Sequence, residues 1–165
     1  MKQDPRHAGN VVLLRGACLW LLAALALAWC LVGLDFGVPF VKAVFPGKFT
    51  RVLQGHIDFL LMTALILGFY AAKIPLPVTV RWAMVIGAFT NSSLFVLQGA
   101  FPVLDGPTPA PGLLGPAFLA YLLASLTLTS YGFGKAAVTL LRSTLDQTPA
   151  ADTSRAFVTP TSDSP

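Results

Sequence analysis

The sequence predicts an all-α fold, a four-helix transmembrane bundle, and the prediction rests on its composition and on four long apolar segments. Only 11% of the residues are charged and 55% are hydrophobic, and the mean hydropathy is +0.73. A soluble domain carries about 25% charged residues on its surface. This composition therefore excludes a soluble globular domain and a disordered chain, and it indicates that lipid surrounds much of the protein.

Four segments are long enough to cross a bilayer as helices, which takes about 20 mostly apolar residues. They lie at residues 13–34, 52–72, 82–104 and 113–141. None of them shows the alternating pattern of a barrel strand. We assign residues 1–142 to one membrane domain, and we expect the polar residues 143–165 to form a disordered cytoplasmic tail.

The first apolar segment follows basic residues, which is also typical of a signal peptide. However, it is longer than the apolar region of a usual signal peptide, and no small-residue cleavage site follows it promptly. We therefore interpret it as the first span.

The distribution of basic residues predicts the orientation of the chain. The two termini and the second loop carry most of them, at Lys2, Arg6, Arg15, Lys73, Arg81, Lys135, Arg142 and Arg155. The first loop carries Lys42, Lys48 and Arg51, and the third carries none. The positive-inside rule then places both termini in the cytoplasm and predicts a multi-pass protein of the inner membrane. No basic cluster interleaved with aromatic residues is present, so we do not expect nucleic-acid binding.

Two ionisable residues lie well inside the second span, at His56 and Asp58. Ionisable groups at such positions are costly and often functional. Two helical positions rotate a side chain by about 200°, so the two residues face nearly opposite sides. His56 is then either a buried hydrogen-bonding residue or a ligand for a planar cofactor. Asp58 shares a stripe with Arg51 and Gln54, and it is interpreted as an acceptor between helices or protomers.

Polar side chains also occur in the third span, where Asn91, Phe95 and Gln98 share one face of the predicted helix. Asn91 lies near the bilayer centre, where an amide needs a partner. Hydrogen bonding between helices is one interpretation of Asn91, Ser92 and Ser93, and contact of Asn91 with a substrate is the other. The sequence contains no Ser/His/Asp arrangement, no phosphate-binding loop and no residue set for zinc.

Several of these features together resemble one family of membrane enzymes. A Pro46-Gly47 turn leads into the second span, His56 follows ten residues after Pro46, Asn91 lies in the third span, and a Pro/Gly-rich loop precedes the fourth. This arrangement resembles the styrene oxide isomerase family and, more loosely, the hydroxylaminobenzene mutases. The resemblance covers about residues 11–142.

The resemblance implies a trimer that holds haem b between protomers, with His56 as the axial ligand of the iron. It also implies a redox-neutral isomerisation, in which the ferric iron acts as a Lewis acid on an epoxide oxygen and a hydride shift yields an aldehyde. Because the only other histidine is His7, on the opposite side of the predicted membrane, one protomer cannot supply two histidine ligands. A single axial histidine leaves an open iron position, as catalysis requires.

Two positions differ from the family pattern. The isomerases carry an Asn six residues after the ligand His, where this chain has Met62, and a Tyr four residues after the third-span Asn, where it has Phe95. Asp58, two residues after the His, is closer to the mutases. We therefore transfer His56 as the ligand and Asn91, with Phe95, as candidate catalytic positions. The expected substrate is a small apolar molecule, epoxide-like or aromatic.

Two alternatives remain open. One is a non-enzymatic membrane subunit or permeation component, in which Asp58, Asn91 and Gln98 line a path between helices or hold a partner. The other is a cytochrome-type anchor, whose second axial ligand would be Met62 or Met84 of a neighbouring protomer.

Overall fold

Helices dominate the structure, a computed structural model that describes residues 10–108 and 110–145. The helices are α1 (Val11–Asp35), α2 (Pro39–Val44), α3 (Phe49–Ala71), α4 (Val78–Ala100) and α5 (Leu114–Leu145), with a 3₁₀ turn at Pro102–Asp105. Within these ranges there is no strand. The four helices α1, α3, α4 and α5 are long and apolar enough to cross a membrane. The predicted all-α, four-helix membrane fold is therefore confirmed.

The third and fourth spans differ from their predicted bounds. Helix α4 begins at Val78 and ends at Ala100, four residues earlier at each end than the predicted 82–104. Pro102 has no backbone N–H to continue the helix, and the chain turns into the 3₁₀ segment there. Helix α5 continues to Leu145, so the first three residues of the predicted tail are helical. The rest of that tail, and His7, lie outside the described residues.

The first loop contains a short helix, α2, that the hydropathy pattern does not predict. It begins at Pro39, where the missing N–H of proline removes no helical hydrogen bond. Its Val41 lies against Gly33 of α1, where an added Cβ would approach a Val41 methyl carbon to 2.9 Å. Helix α2 therefore folds back onto the end of α1.

Helix α3 lies between α1 and α4, and α5 packs against α4. Two buried clusters hold these helices together. The first contains Leu13, Ala17, Ile66, Leu76, Val80, Met84, Val85, Ala88 and Ala136, and the second contains Ala24, Leu27, Val52 and Phe59. Large apolar side chains on the outer faces of all four long helices are exposed, as expected for surfaces in contact with lipid.

Two hydrogen bonds, each made by a residue of a loop, define the ends of the bundle. The backbone N–H of Gly47 donates to the carbonyl of Gly99 over 2.9 Å. At the other end, the side-chain amide of Asn10 donates to the carbonyl of Ile74, also over 2.9 Å. The start of α1 and the α3–α4 loop therefore share one end, and the α1–α3 loop and the end of α4 share the other.

Candidate functional site

His56 lies half-buried on the side of α3 that faces α1. Its Nδ1 is 2.9 Å from the backbone carbonyl oxygen of Ala24. A carbonyl can only accept, so Nδ1 carries the hydrogen and donates it. In the neutral ring, Nε2 then holds the lone pair, and among the described residues it has no hydrogen-bond partner. Metal-binding histidines in proteins show this arrangement, in which a carbonyl fixes the ring through one nitrogen and the other is left to bind.

Asp58 lies on the opposite side of α3, against α4. Its Oδ2 accepts hydrogen bonds from the Asn91 side-chain amide at 2.9 Å and from the Ser92 hydroxyl at 2.7 Å. Ser92 is fully buried. The helical rotation between His56 and Asp58 thus directs them to different helices, and Asp58 joins α3 to α4.

The contact with Asp58 uses only part of the hydrogen-bonding capacity of the Asn91 amide. An amide nitrogen carries two hydrogens, and the bond to Asp58 uses one of them. The amide oxygen of Asn91 has no hydrogen-bond partner among the described residues. Asn91 therefore keeps one donor and one acceptor for another polar group.

A second polar contact joins α4 to α5 through Ser93, one of the residues expected to hydrogen-bond between helices. The Ser93 hydroxyl donates to the carbonyl of Thr90 at 2.9 Å and lies 2.7 Å from the phenol oxygen of Tyr121. Because the hydroxyl of Ser93 has a single hydrogen, the phenol of Tyr121 is the donor to Ser93. Pairing of a serine with a tyrosine 28 residues away has no signature in the local sequence.

The other two candidate residues of the third span lie further towards the Gly47–Gly99 end. Phe95 packs near Gly55, where its Cβ lies 3.6 Å from the position that a Cβ on Gly55 would take. Gln98 is half-buried, and its Oε1 is buried without a hydrogen-bond partner. The structure therefore brings Asp58 and Asn91 together, but it places Gln98 about two helical turns from them.

A cluster of charges at that end ties the loops together. Asp105, in the 3₁₀ turn, accepts from Arg51 Nε at 2.7 Å and pairs with Lys48 Nζ at 2.8 Å. The Arg51 guanidinium, followed by the Lys48 ammonium, holds the pKa of Asp105 below its usual value. Arg51 also donates to Gln54 at 2.8 Å, as their shared stripe suggested, but its charge is paired with Asp105 instead of being directed towards Asp58.

The residues that could bind a metal are few. The described residues contain no group of three or more His, Cys, Asp or Glu side chains that could hold a metal ion together. An axial haem ligand is a different kind of site, since the protein supplies one side chain and the porphyrin supplies the rest. Of the two methionines considered as second ligands, Met84 is fully buried within its own protomer, and Met62 packs partly buried against the first core cluster.

Comparison of the chain with models of known protein families, with curated proteins and with solved structures finds no match.

Proposed function

We propose that this protein is a redox-neutral membrane isomerase or mutase that acts on a small apolar substrate at a haem bound through His56. The observation that carries the proposal is the 2.9 Å contact from His56 Nδ1 to the Ala24 carbonyl. It orients the ring and leaves Nε2 as the available ligand. The proposed haem and the proposed isomerisation come from the resemblance to the styrene oxide isomerases.

The residues of this chain fit a haem through one axial ligand. A ferric haem with an open sixth position would supply a Lewis acid for an epoxide-like or similar oxygen atom. Ala24 fixes the ring of His56, which prevents the ligand from rotating away. The side chains near His56 on α3 are apolar and outward-facing, including Ile57, Leu60 and Leu61, and they offer a dry surface to a planar group.

A second protomer is part of the proposal because of where Asn91 lies. Asn91 and His56 are on opposite sides of α3, so within one protomer a small substrate cannot contact both. A substrate held by both groups has to lie between protomers, which is consistent with the trimer that the resemblance implies. Asp58 would then act as the positioning residue for Asn91, whose free N–H and carbonyl oxygen are available to the polar atom of the substrate.

The optical spectrum tests the haem directly. We expect the protein purified in mild detergent, with haem supplied during expression, to show a Soret band, and we expect His56→Ala to lose it. The matched control is His7→Ala, which removes the only other histidine. Added imidazole should restore the band in His56→Ala, because it occupies the vacated position. A colourless, correctly inserted wild-type protein would overturn the proposal.

A second candidate function, a non-enzymatic subunit or permeation component, is favoured by the contact among Asp58, Asn91 and Ser92. A carboxylate between two membrane helices is the kind of group that lines ion or proton pathways. Asp58→Asn separates the two candidates. If Asp58 carries a path, this substitution abolishes transport or partner assembly while His56→Ala has little effect. If His56 carries the function, the order is reversed.

We further propose that the protein lies in the inner membrane with both termini in the cytoplasm. Among the described residues, the end that contains the start of α1 has five basic residues and no acidic one, at Arg15, Lys73, Arg81, Lys135 and Arg142. The opposite end has Lys42, Lys48 and Arg51 together with Asp35 and Asp105. The more basic end is expected on the cytoplasmic side.

A further inference from the structure

The C-terminal part of α5 carries a groove that the proposed function does not use. Helix α5 has 32 residues, which corresponds to a length of about 48 Å. The hydrocarbon core of a bilayer is only about 30 Å thick. Part of α5 must therefore lie in the headgroup region or beyond it.

The packing of α5 on α4 shows which part this is. Gly132 lies against the backbone of Met84, and Ala136 belongs to the same buried cluster as Val80. Because α4 begins at Val78, the residues of α5 that follow Ala136 pass the end of α4. The groove therefore lies at the level where the apolar bundle ends and the headgroups begin.

The groove has a volume of about 290 Å³ and lies along one exposed face of α5. Its lining consists of Ser130, Tyr131, Gly134, Lys135, Val138, Thr139 and Arg142. Lys135 and Arg142 are seven residues apart, so they share a face and are separated by about 10 Å along the axis. Both are exposed, and neither has an acidic partner within the ranges that the structure describes.

We propose that this groove binds the headgroup of an anionic phospholipid. Lys135 and Arg142 would contact the phosphate and the polar group that is esterified to it. The hydroxyls of Ser130 and Tyr131 are exposed and have no hydrogen-bond partner among the described residues, so they would complete the contacts. Gly134 leaves open space within the groove, since an added Cβ there would meet nothing within 4 Å. A neutral zwitterionic headgroup would bring an ammonium group against Lys135 and Arg142 and would bind less well.

Native mass spectrometry of the intact protein tests the site. The protein is released from bilayers that contain equal amounts of phosphatidylglycerol and phosphatidylcholine, and the retained lipids are counted. We expect selective retention of phosphatidylglycerol by the wild-type protein. Each cation near the membrane surface contributes about 1 kcal/mol to anionic lipid binding, so Lys135→Gln and Arg142→Gln should each weaken retention about fivefold.

Two further variants separate a shaped site from general charge attraction. Gly134→Leu fills the groove without changing the net charge, and it should remove the selective retention. Lys42→Gln removes an exposed cation at the opposite end, and it should leave retention unchanged. The proposal is wrong if Gly134→Leu retains phosphatidylglycerol as the wild type does, or if Lys42→Gln and Lys135→Gln lose it equally. His56→Ala should keep the lipid, so the outcome does not depend on the proposed haem.

Discussion

His56 and Asp58 show how two residues in one helical turn take different surroundings. Their separation by about 200° follows from helix geometry alone, and the structure has one against α1 and the other against α4. Their partners do not follow from the sequence. The Ala24 carbonyl is a backbone atom present at every position, so no residue type marks it. The pairing of Asp58 with Asn91 depends on the register between α3 and α4, which local periodicity does not determine.

The contact of Asp58 with Asn91 and Ser92 predicts that Asp58→Asn is tolerated structurally and that Asp58→Ala is not. Asparagine has the size of aspartate, and its Oδ1 can take the place of the Asp58 Oδ2 that accepts from both Asn91 and Ser92. Alanine leaves the Asn91 amide without this acceptor and the Ser92 hydroxyl with only the Ala88 carbonyl at 3.0 Å, which costs about 1–3 kcal/mol. Unfolding of both variants in detergent, by heat or by added denaturing detergent, measures the difference. Equal destabilisation by the two substitutions would mean that the negative charge itself holds the helices together.

At the scale of the helices, the close contact between α4 and α5 depends on glycines. A Cβ on Gly132 would lie 2.7 Å from the backbone nitrogen of Met84, and one on Gly87 would lie 2.9 Å from the Thr129 Cα. Both neighbours are backbone atoms that a side-chain rotation cannot move. The Thr129 hydroxyl also donates to the Gly87 carbonyl at 2.9 Å, so the helices touch closely enough for a hydrogen bond there.

We predict that Gly132→Ala and Gly87→Ala each destabilise the bundle by about 1–3 kcal/mol, the usual cost of extra volume in a packed interior. Gly134→Ala is the matched control on the same helix, because a Cβ there meets nothing within 4 Å. The melting temperature in detergent should fall for the first two variants and stay unchanged, or rise slightly, for the third. Equal melting temperatures for Gly132→Ala and Gly134→Ala would contradict the close packing of α4 on α5.

The helix bounds show what a hydropathy pattern can and cannot give. The four apolar segments identify the four long helices because bilayer thickness sets their length. Helix α4 begins about one turn before the predicted span. The prediction excluded Arg81 from the span because it is charged, but Arg81 lies in the first turn of the helix. The 3₁₀ turn likewise takes apolar residues that the pattern assigned to the span, including Val103 and Leu104. Helix α2 is too short for its own apolar signal.

For the whole molecule, Asp105 connects distant parts of the chain at one end of the bundle. Its ion pairs with Lys48 and Arg51 join the third loop to the start of α3, across more than fifty positions of sequence. The stripe shared with Asp58 suggested a different direction for Arg51, and nothing in the first loop indicates that Asp105 approaches Lys48 and Arg51.

The lowered pKa of Asp105 predicts how this connection responds to pH. A carboxyl whose pKa is lower in the folded state stabilises the fold above its unfolded value, and the contribution is lost as the pH falls through the folded value. The ordinary value is 3.8. Wild type should therefore be more stable than Asp105→Asn at neutral pH, and the difference should shrink as the pH falls below about 4. Thermal unfolding of both proteins between pH 7 and pH 3 measures it, and a difference that does not depend on pH would show that the ion pairs do not stabilise the bundle.

The unequal charge of the two ends leads to a prediction for the orientation of the whole bundle. The five described cations at the end that holds the start of α1 have no acidic residue among them, and basic residues on short loops near the membrane are the ones that set orientation effectively.

A fluorescent protein fused after the C-terminus should therefore fold and fluoresce in the cytoplasm, whereas alkaline phosphatase fused there should be inactive. Inserted after Thr108, in the third loop, the phosphatase should be active, because this loop lies at the opposite end of α4. Replacing Lys73, Lys135 and Arg142 with glutamine should increase the fraction of inverted chains, since it lowers the number of basic residues on the predicted cytoplasmic side from eight to five, against three in the first loop. An active phosphatase at the C-terminus of the wild-type chain would reverse the orientation, and it would place the lipid-binding groove of α5 in the outer leaflet.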